Sequence, residues 1–335
     1  MEKYLDMHKI SVKIERYYSY PDIKRQTPNS SFIWNNIHFT EENVKECDFL
    51  IILDYPKNDF SIHVNKDNIF HFCLEPSNEI SKYRQFANKK VSKIYNQLKS
   101  DEKFILSYPA LPWHLDQDYD FLKALKSSDL KKEDKIVWVT SDQRSSIQHN
   151  QRMNFLETLH DLPFISLYGR GINPVNSKWD VMKTSKYAIA YENFKNDFNW
   201  TEKISDCFLS YTIPLYYGCD RINDYFNDRS IIQIDPKDKY IKLKLKEIVN
   251  SNYWHENLDA LIESRNLILE KYQMFSLFEK LINQHVVLFG VNQMKKRQLF
   301  EFKGQDEYFD NYPFDVLLEK KAHQLKKKIK NKFNF

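Results

Sequence analysis

An α/β fold with two domains, each built on a parallel sheet, is the fold class that this sequence predicts. Apolar runs typical of strands alternate with helix-like stretches in both halves, which is the pattern of parallel sheets covered by helices. The chain has 335 residues, which is too long for one ordinary core and fits two domains of roughly 150 residues each. The polar stretch at residues 125–135 (LKSSDLKKEDK) separates the halves. We therefore predict domains at residues 1–130 and 135–300, followed by a tail at residues 301–335.

The first half contains four strand-like segments. Residues 8–16 (HKISVKIER) alternate apolar and polar side chains, as a half-buried strand does. Residues 47–54 (CDFLIILD) and 69–74 (IFHFCL) are continuous apolar runs, which indicate buried parallel strands. Residues 103–107 (KFILS) predict a short strand, and residues 80–99, which are rich in Lys and Gln, predict a helix.

The second half repeats this alternation. Its predicted strands are residues 136–139, 163–168, 186–191, 212–217 and 230–234. Helices are predicted at residues 149–160 and 201–209, and a helical pattern follows over residues 238–300. Ligands of such sheets bind outside the carboxyl ends of the strands, so the loops that follow the strands are where we expect functional side chains.

The composition is that of a globular protein. Apolar residues make up 42% and charged residues 29% of the chain, which excludes an extended disordered protein. The net charge of +4 is too small for the whole molecule to be a nucleic-acid binder. The sequence has no apolar signal-peptide core and no run of about 20 apolar residues, so neither a signal peptide nor a membrane span is expected. Four cysteines without C-x-x-C spacing predict reduced thiols in the cytoplasm: Cys47, Cys73, Cys207 and Cys219.

Three linked blocks carry the strongest functional signal. They are residues 186–193 (KYAIAYEN), 201–206 (TEKISD) and 212–218 (TIPLYYG). In order and spacing they resemble the F-x-L-x-F-E-N, Y-V-T-E-K-I-x-D-A and G-T-I-P-V-Y-W-G blocks of glycosyltransferase family 10, the α1,3/4-fucosyltransferases, and the chain is similar to a soluble, bacterial-type member. One position departs from the family: Asn199 stands where an aromatic residue, often Tyr, is usual, so we assign Asn199 no role.

The central block also has a physical interpretation. Thr201 caps a predicted helix, and free N–H groups at a helix N-terminus attract an anion such as a diphosphate. Lys203 would add positive charge as the diphosphate leaves, and Glu202 would offer a carboxylate to ribose hydroxyls or to a developing oxocarbenium-like charge. The resemblance implies that Glu192 and Asn193 also contact the donor. The alternative is structural, with Glu202 as a capping carboxylate and Lys203 as a solvated surface charge.

Arg152 is a further candidate for the donor site. It lies at a strand-to-helix junction in a segment that resembles the family's S-N-x…R-x-x-F/Y, and an arginine there can form two bonds to a phosphate. The alternative is a surface arginine on an amphipathic helix, which is the favoured interpretation for Arg144. Residues 168–171 (YGRG) resemble the family's Y-G-R/K segment, and we interpret their glycines first as a tight turn.

The first half supplies the candidate base. Residues 74–79 (LEPSNE) resemble the family's x-E-S-P-S or G-E-N segment, whose Glu is thought to be the catalytic base. An inverting transfer needs a carboxylate to take the proton of the acceptor hydroxyl. Glu75 follows an apolar strand, where a positioned and partly desolvated base is expected, but a shift of one proline leaves Glu79 as a rival. Trp113, in a proline-rich loop, either stacks on a sugar ring or packs on the core.

The tail predicts an amphipathic helix. Between residues 317 and 335 its apolar positions follow helical spacing and its remaining positions are rich in lysine: Leu318, Ala322, Leu325, Ile329 and Phe333 form the apolar stripe. This pattern is typical of a helix that lies on an anionic membrane surface. A solvated tail, packing on the protein and contact with nucleic acid are the alternatives.

Together the resemblance implies a GT-B fold, with two Rossmann-like domains facing across a cleft, and an inverting α1,3-fucosyltransferase. The donor would be GDP-fucose, held by Arg152, Glu192, Asn193, Glu202 and Lys203, with Glu75 and Glu202 as catalytic residues and no obligatory metal or other cofactor. The acceptor would be a glycan containing N-acetylglucosamine or galactose, in surface polysaccharide such as lipopolysaccharide or on protein. We expect a cytoplasmic enzyme at the inner membrane face and no nucleic-acid partner. Two alternatives stay open, namely a GT-B enzyme with another nucleotide sugar and a non-catalytic membrane or nucleic-acid binder using the Lys-rich tail.

Overall fold

The computed structural model describes residues 9–75, 91–97, 104–144, 146–290 and 296–304, together with five single positions in the tail: Phe314, Leu318, Lys321, Ala322 and Leu325. The chain divides into two compact units. One contains residues 20–38 and 107–288, and the other contains residues 10–19, 39–106 and those from 289 onward.

This division differs from the predicted boundaries of 1–130, 135–300 and 301–335 because two early segments pack on late ones. Trp34 Nε1 donates to Glu279 at 2.9 Å. The hydroxyl of Tyr119 donates to Glu270 at 3.0 Å. Such pairings between positions far apart in sequence have no local signal, so a polar stretch could not reveal them.

Eight strands precede the predicted boundary: β1 (Ile10–Arg16), β2 (Ile33–Trp34), β3 (Ile37–Thr40), β4 (Phe49–Leu53), β5 (Phe60–Val64), β6 (Ile69–Phe72), β7 (Lys93–Asn96) and β8 (Phe104–Leu106). Five of them form a parallel run in the order β1-β4-β6-β7-β8. Every residue of β4 is buried, as expected for a strand with both faces covered. The predicted helix at 80–99 is wrong at its end, because Lys93–Asn96 is a strand with Ile94 and Tyr95 buried, while residues 80–90 lie outside the described residues.

The second sheet has five strands: β9 (Glu133–Val139), β10 (Ile165–Tyr168), β11 (Ser185–Tyr191), β12 (Ile213–Tyr217) and β13 (Ile232–Gln233). They lie in the order β10-β9-β11-β12-β13, and each pair is parallel. Numbered from β9, this is the doubly wound order 2-1-3-4-5. The predicted fold class, α/β with a parallel sheet in each half, is confirmed.

Eight α-helices are described from residue 119 onward: α1 (Tyr119–Ala124), α2 (Ile147–Leu159), α3 (Lys178–Met182), α4 (Glu202–Leu209), α5 (Ile241–Val249), α6 (Tyr253–Glu256), α7 (Leu258–Leu267) and α8 (Met274–Phe289). Helix α2 begins where the Ser146 hydroxyl accepts from the His149 N–H. Thr201 caps the N-terminus of α4, as predicted, and its side chain accepts from the Lys203 N–H. Within the described ranges no helix is long and apolar enough to cross a membrane.

The helical pattern predicted to residue 300 ends earlier. After α8 the chain forms β14 (Gln298–Phe302), which pairs antiparallel with β5. The Phe60 and Phe302 rings stack at 4.9 Å. Arg297 forms ion pairs with Glu46 and Asp48, both at 2.7 Å. These contacts join residues 297–302 to the unit that contains β1.

Candidate active site

The predicted donor residues meet at the switch point of the second sheet. In the strand order of this sheet, β9 and β11 are neighbours whose connections leave in opposite directions, and ligands of doubly wound sheets bind at that point. The loop after β9 leads into α2, which carries Arg152. The loop after β11 begins with Glu192 and Asn193 and leads to α4, which carries Glu202 and Lys203.

Arg152 is a buried residue, so the alternative of a surface arginine is wrong. Its side chain is 5% exposed. Nη1 donates to Asn193 Oδ1 at 2.9 Å, and Nη2 donates to the backbone oxygens of Ser141 at 3.0 Å and Gln143 at 3.2 Å. Arg152 therefore ties the loop after β9 to the loop after β11. Its Nε is buried and has no hydrogen-bond partner among the described residues, which leaves one donor of the guanidinium unused.

Glu192 occupies the N-terminus of α4. Its side chain is 1% exposed, and Oε1 accepts from both the N–H and the hydroxyl of Thr201 at 2.8 Å. Oε2 accepts from Lys203 Nζ at 3.1 Å. Burial raises the pKa of Glu192, and Lys203 opposes that rise. The carboxylate of Glu192 thus lies at the predicted anion site and accepts the Thr201 N–H, which is not available to a ligand.

Lys203 is the accessible cation of the cluster. Its side chain is 27% exposed, in contrast to the buried Glu192. Burial lowers the pKa of Lys203, but Glu192 and Glu202 outweigh burial and raise it, so the ammonium is charged. Burial would also raise the pKa of Glu202, but Lys203, His114 and Lys178 together lower it. The site therefore presents an ionised carboxylate beside a charged ammonium.

Three residues that support the site were not predicted. Asp206 on α4 is fully buried, and it accepts from Lys178 Nζ at 2.5 Å and from the His114 N–H at 2.9 Å. The charge of Lys178 acts on Glu202 and helps to keep it ionised. Asp206 belongs to the TEKISD block, so its place in the motif was a usable signal, whereas Lys178 and His114 have none in the sequence.

Glycine is required at two positions near these loops. A Cβ on Gly218 would lie 2.5 Å from Glu192 Cγ, which is too close for any side chain. Gly169 has φ +125, and a Cβ there would lie 1.7 Å from the Thr140 carbonyl oxygen. The Gly169 N–H donates to Asn173 at 2.8 Å, and Arg170 is exposed. Residues 168–171 are thus the structural turn that their glycines indicated.

A pocket of about 240 Å³ is lined by residues of α2 and by the last residues of β11 and β12. Three aromatic rings and a polar rim form its wall: Phe155, Tyr191, Tyr217, Gln151, Asn154, Thr158, Pro236 and Lys237. The rings of Tyr191 and Tyr217 lie 4.7 Å apart. Flat apolar faces next to amide and hydroxyl groups suit a ring-shaped ligand with polar substituents.

The other predicted residues are placed elsewhere or have structural roles. Glu75 belongs to the other unit, three residues after β6, and its side chain is exposed, so the predicted desolvation of this carboxylate is wrong. Glu79 lies outside the described residues. Trp113 is 2% exposed and donates to the Gln117 carbonyl at 3.0 Å, so it packs on the core. Asn199 is buried, and its amide donates to the Phe194 carbonyl at 3.0 Å.

Residues 130–251 match the model of glycosyltransferase family 10 (fucosyltransferase), C-terminal domain. No curated protein matches the chain at a significant level. Among solved structures, the chain is similar to an α1,3-fucosyltransferase with GDP-fucose (16% identity, 76% of this chain and 82% of that chain, TM-score 0.45). It is also similar to an α1,3-fucosyltransferase with GDP (14% identity, 79% of this chain and 92% of that chain, TM-score 0.46). A third similar structure is S. aureus MnaA with UDP (9% identity, 84% of this chain and 97% of that chain, TM-score 0.43).

The family match carries the functional argument, since the similar solved structures are at most 16% identical and their TM-scores lie below 0.5. The matched stretch contains Arg152, Lys178 and all three sequence blocks, and therefore the whole cluster at the switch point except His114. Residues 130–251 are thus similar to the C-terminal domain of glycosyltransferase family 10, which supports glycosyltransferase activity.

Proposed function

We propose that the chain is an inverting α1,3-fucosyltransferase that moves fucose from GDP-fucose to a glycan containing N-acetylglucosamine or galactose. The observation that carries the proposal is the cluster of Arg152, Glu192, Glu202 and Lys203 at the switch point of a sheet whose sequence matches a fucosyltransferase family. The solved structures to which the chain is similar include α1,3-fucosyltransferases with GDP and with GDP-fucose.

In this proposal the diphosphate binds to the accessible side of Lys203, and the buried guanidinium of Arg152 adds positive charge nearby. His149 lies on the first turn of α2, and its pKa is lowered first by burial and then by the charges of Arg152 and Lys203. Both cations therefore contribute positive potential around His149. The two cations would balance the negative charge of a diphosphate placed there, both in the bound donor and in the leaving GDP. The pocket of Phe155, Tyr191 and Tyr217 would take an uncharged ring of the nucleotide sugar.

The acceptor is assigned to the unit that contains Glu75. Glu75 would take the proton of the acceptor hydroxyl as its oxygen attacks the anomeric carbon, and the C–O bond to GDP would break. The Glu75 side chain is exposed, so an acceptor hydroxyl can reach its carboxylate. No group of three or more His, Cys, Asp and Glu side chains in the described ranges is arranged to hold a metal ion.

Calorimetry with GDP-fucose tests the donor site. Lys203→Ala should lose binding, since it removes the accessible cation. Lys242→Ala is the matched control, because Lys242 also forms an ion pair, with Asp161 at 3.0 Å, but on an exposed surface of α5. A folded wild type that binds neither GDP nor GDP-fucose would refute the proposal. Binding of UDP-sugars or GDP-mannose in place of GDP-fucose would favour another nucleotide-sugar transferase.

We also propose that the tail holds the enzyme at the inner face of a membrane. Leu318, Ala322 and Leu325 are helical, and Leu318 and Leu325 are 52% and 60% exposed. Ile329, Phe333 and most of the lysines lie outside the described residues. The full chain should cosediment with vesicles that contain anionic lipid and not with neutral ones, whereas a chain ending at residue 316 should stay in the supernatant.

A further inference from the structure

The carboxyl ends of three neighbouring strands lie level in the unit that contains Glu75. Arg16 of β1 is in register with Leu53 of β4, and Leu53 is in register with Phe72 of β6. The residues that follow these positions therefore emerge side by side at one edge of the sheet. Asp54 follows β4 directly, and Glu75 comes three residues after Phe72.

Asp54 binds the segment that leads to Glu75 at three points. Its N–H donates to the Phe72 carbonyl at 2.9 Å, and its own carbonyl accepts from His71 Nε2 at 2.6 Å. Its Oδ1 accepts from the Leu74 N–H at 2.9 Å. The Leu74 N–H belongs to the Cys73–Leu74 peptide, so the carboxylate of Asp54 fixes the peptide plane one step before the one that joins Leu74 to Glu75.

The backbone of Asp54 is strained. Its φ is +58, in the left-handed region that residues other than glycine rarely adopt. Such a conformation persists only where the surroundings enforce it, commonly at functional sites. The Asp54 side chain is 5% exposed, so a carboxylate is buried here as well. Fold stability alone would favour Gly or Asn at this position, because both accept the conformation and neither brings a charge.

Gln97 holds the same segment from the opposite side. It follows β7, the next strand after β6 in the sheet, and its side chain is 1% exposed. Gln97 Nε2 donates to the Cys73 carbonyl at 2.7 Å, and the Cys73 N–H donates to the Tyr95 carbonyl at 2.9 Å. Residues 73 and 74 are thus bonded on both sides, and Glu75 is the first exposed side chain after them.

We propose that Asp54 and Gln97 are positioning residues for Glu75, and we name them the strand-exit clamp. The clamp fixes the backbone of residues 73 and 74, so the carboxylate of Glu75 starts from a defined point beside the acceptor hydroxyl. This inference rests on the proposed function, in which Glu75 is the base. Neither clamp residue touches substrate; both act through the position of Glu75.

Two substitutions at Asp54 separate the hydrogen bond from the strained backbone. Asp54→Gly accepts the positive φ but has no side-chain acceptor, whereas Asp54→Asn accepts the positive φ and keeps an oxygen for the Leu74 N–H. We expect Asp54→Gly to lower kcat by about 10²-fold, the size of loss that a small misplacement of a reacting group causes. Asp54→Asn should restore kcat, and the affinity for GDP-fucose should be the same in all three proteins. Gln97→Met should reproduce the loss of kcat, which keeps the test available if Asp54→Gly does not fold.

Asn68→Leu is the matched control. Asn68 is fully buried, and its side chain donates to the Asp48 carbonyl at 2.7 Å at the opposite end of β6. It should lower the melting temperature as the clamp variants do while leaving kcat unchanged. The clamp variants should also have no further effect in a Glu75→Ala background, because they act through Glu75.

The outcomes distinguish this inference from the proposed function. Wild type that binds no GDP-fucose refutes the proposed function. Wild type that transfers fucose, with Glu75→Ala inactive and both clamp variants at the wild-type kcat, refutes the clamp alone. Losses in Asp54→Gly that Asp54→Asn does not restore, or that Asn68→Leu shares, would also overturn it by showing a general effect on the fold.

Discussion

Glu192→Gln is the substitution whose effect the structure defines best. Glutamine keeps an oxygen to accept the two bonds from Thr201, which are both 2.8 Å long, but it places an amide against Lys203. The lost charge-assisted bond to a buried acceptor corresponds to about 1.5–3 kcal/mol of unfolding free energy. For a unit of roughly 200 residues this is a fall in melting temperature of about 3–12 °C. Removal of the whole carboxylate in Glu192→Ala should cost more, about 3–5 kcal/mol.

Thermal unfolding followed by circular dichroism measures this, with Glu157→Gln as the control. Glu157 also pairs with a basic residue, Arg144, but both side chains are exposed, so its loss should change stability by less than about 1 kcal/mol. A second comparison is the double variant Glu192→Gln with Lys203→Met. Its loss of unfolding free energy should be smaller than the sum of the losses of the two single variants, because no unpaired buried charge remains. A Glu192→Gln protein that melts with the wild type would refute the reasoning, since the ion pair would then contribute nothing.

Three further predictions concern the same fold. GDP-fucose, whose diphosphate does not titrate near neutral pH, should bind more tightly as pH falls towards 5.5. Burial, and then the charges of Arg152 and Lys203, lower the pKa of His149 in the free protein. A bound diphosphate would raise that pKa, so binding takes up a proton and is favoured at lower pH. Calorimetry should show no such trend in His149→Gln. Gly218→Ala should lose about 1–3 kcal/mol in thermal unfolding because its Cβ would lie 2.5 Å from Glu192, whereas Gly290→Asn, with no atom within 4 Å of its Cβ, should be close to neutral. A chain ending at residue 296 should unfold at a lower temperature than one ending at residue 304, since only the shorter chain lacks β14 and its stacking on Phe60; equal melting would show that β14 adds no stability.

Much of the fold follows from local pattern. The apolar runs at 47–54 and 69–74 became β4 and β6 because a strand covered on both faces needs an unbroken apolar sequence. Residues 93–96 were predicted as helix because the surrounding lysines mask a short buried strand. The unit boundaries depend on contacts such as that between Trp34 and Glu279, which no local pattern contains.

The site shows the same limit. The linked blocks predicted that Glu192, Glu202 and Lys203 lie close together. Glu192 follows a strand, Glu202 and Lys203 begin the next helix, and the short loop between them keeps the two ends near each other. What the sequence could not show is which groups are already satisfied. Free N–H groups at this helix N-terminus were predicted to attract an anion, and the buried carboxylate of Glu192 lies there and accepts the Thr201 N–H. Lys178 was not predicted, because its role depends on Asp206, 28 positions away.

The occupied state of Lys203 indicates how a donor can enter. Its ammonium donates to Glu192 at 3.1 Å and to the Thr201 hydroxyl at 3.0 Å, and it forms an ion pair with Glu202 at 3.4 Å. Glu192 cannot yield its place, because it is buried and also holds the N-terminus of α4. The contact with Glu202 is the longest of the three, and Glu202 is kept ionised by His114 and Lys178 as well as by Lys203. We therefore expect a diphosphate to replace Glu202 as the partner of Lys203. The ionised carboxylate of Glu202 would then be free to accept hydrogen bonds from the ribose hydroxyls next to the diphosphate. Glu202→Gln should therefore weaken binding of GDP-fucose and leave binding of inorganic diphosphate unchanged, as measured by calorimetry. Equal losses of affinity for both ligands would contradict this and show that Glu202 acts on the diphosphate itself.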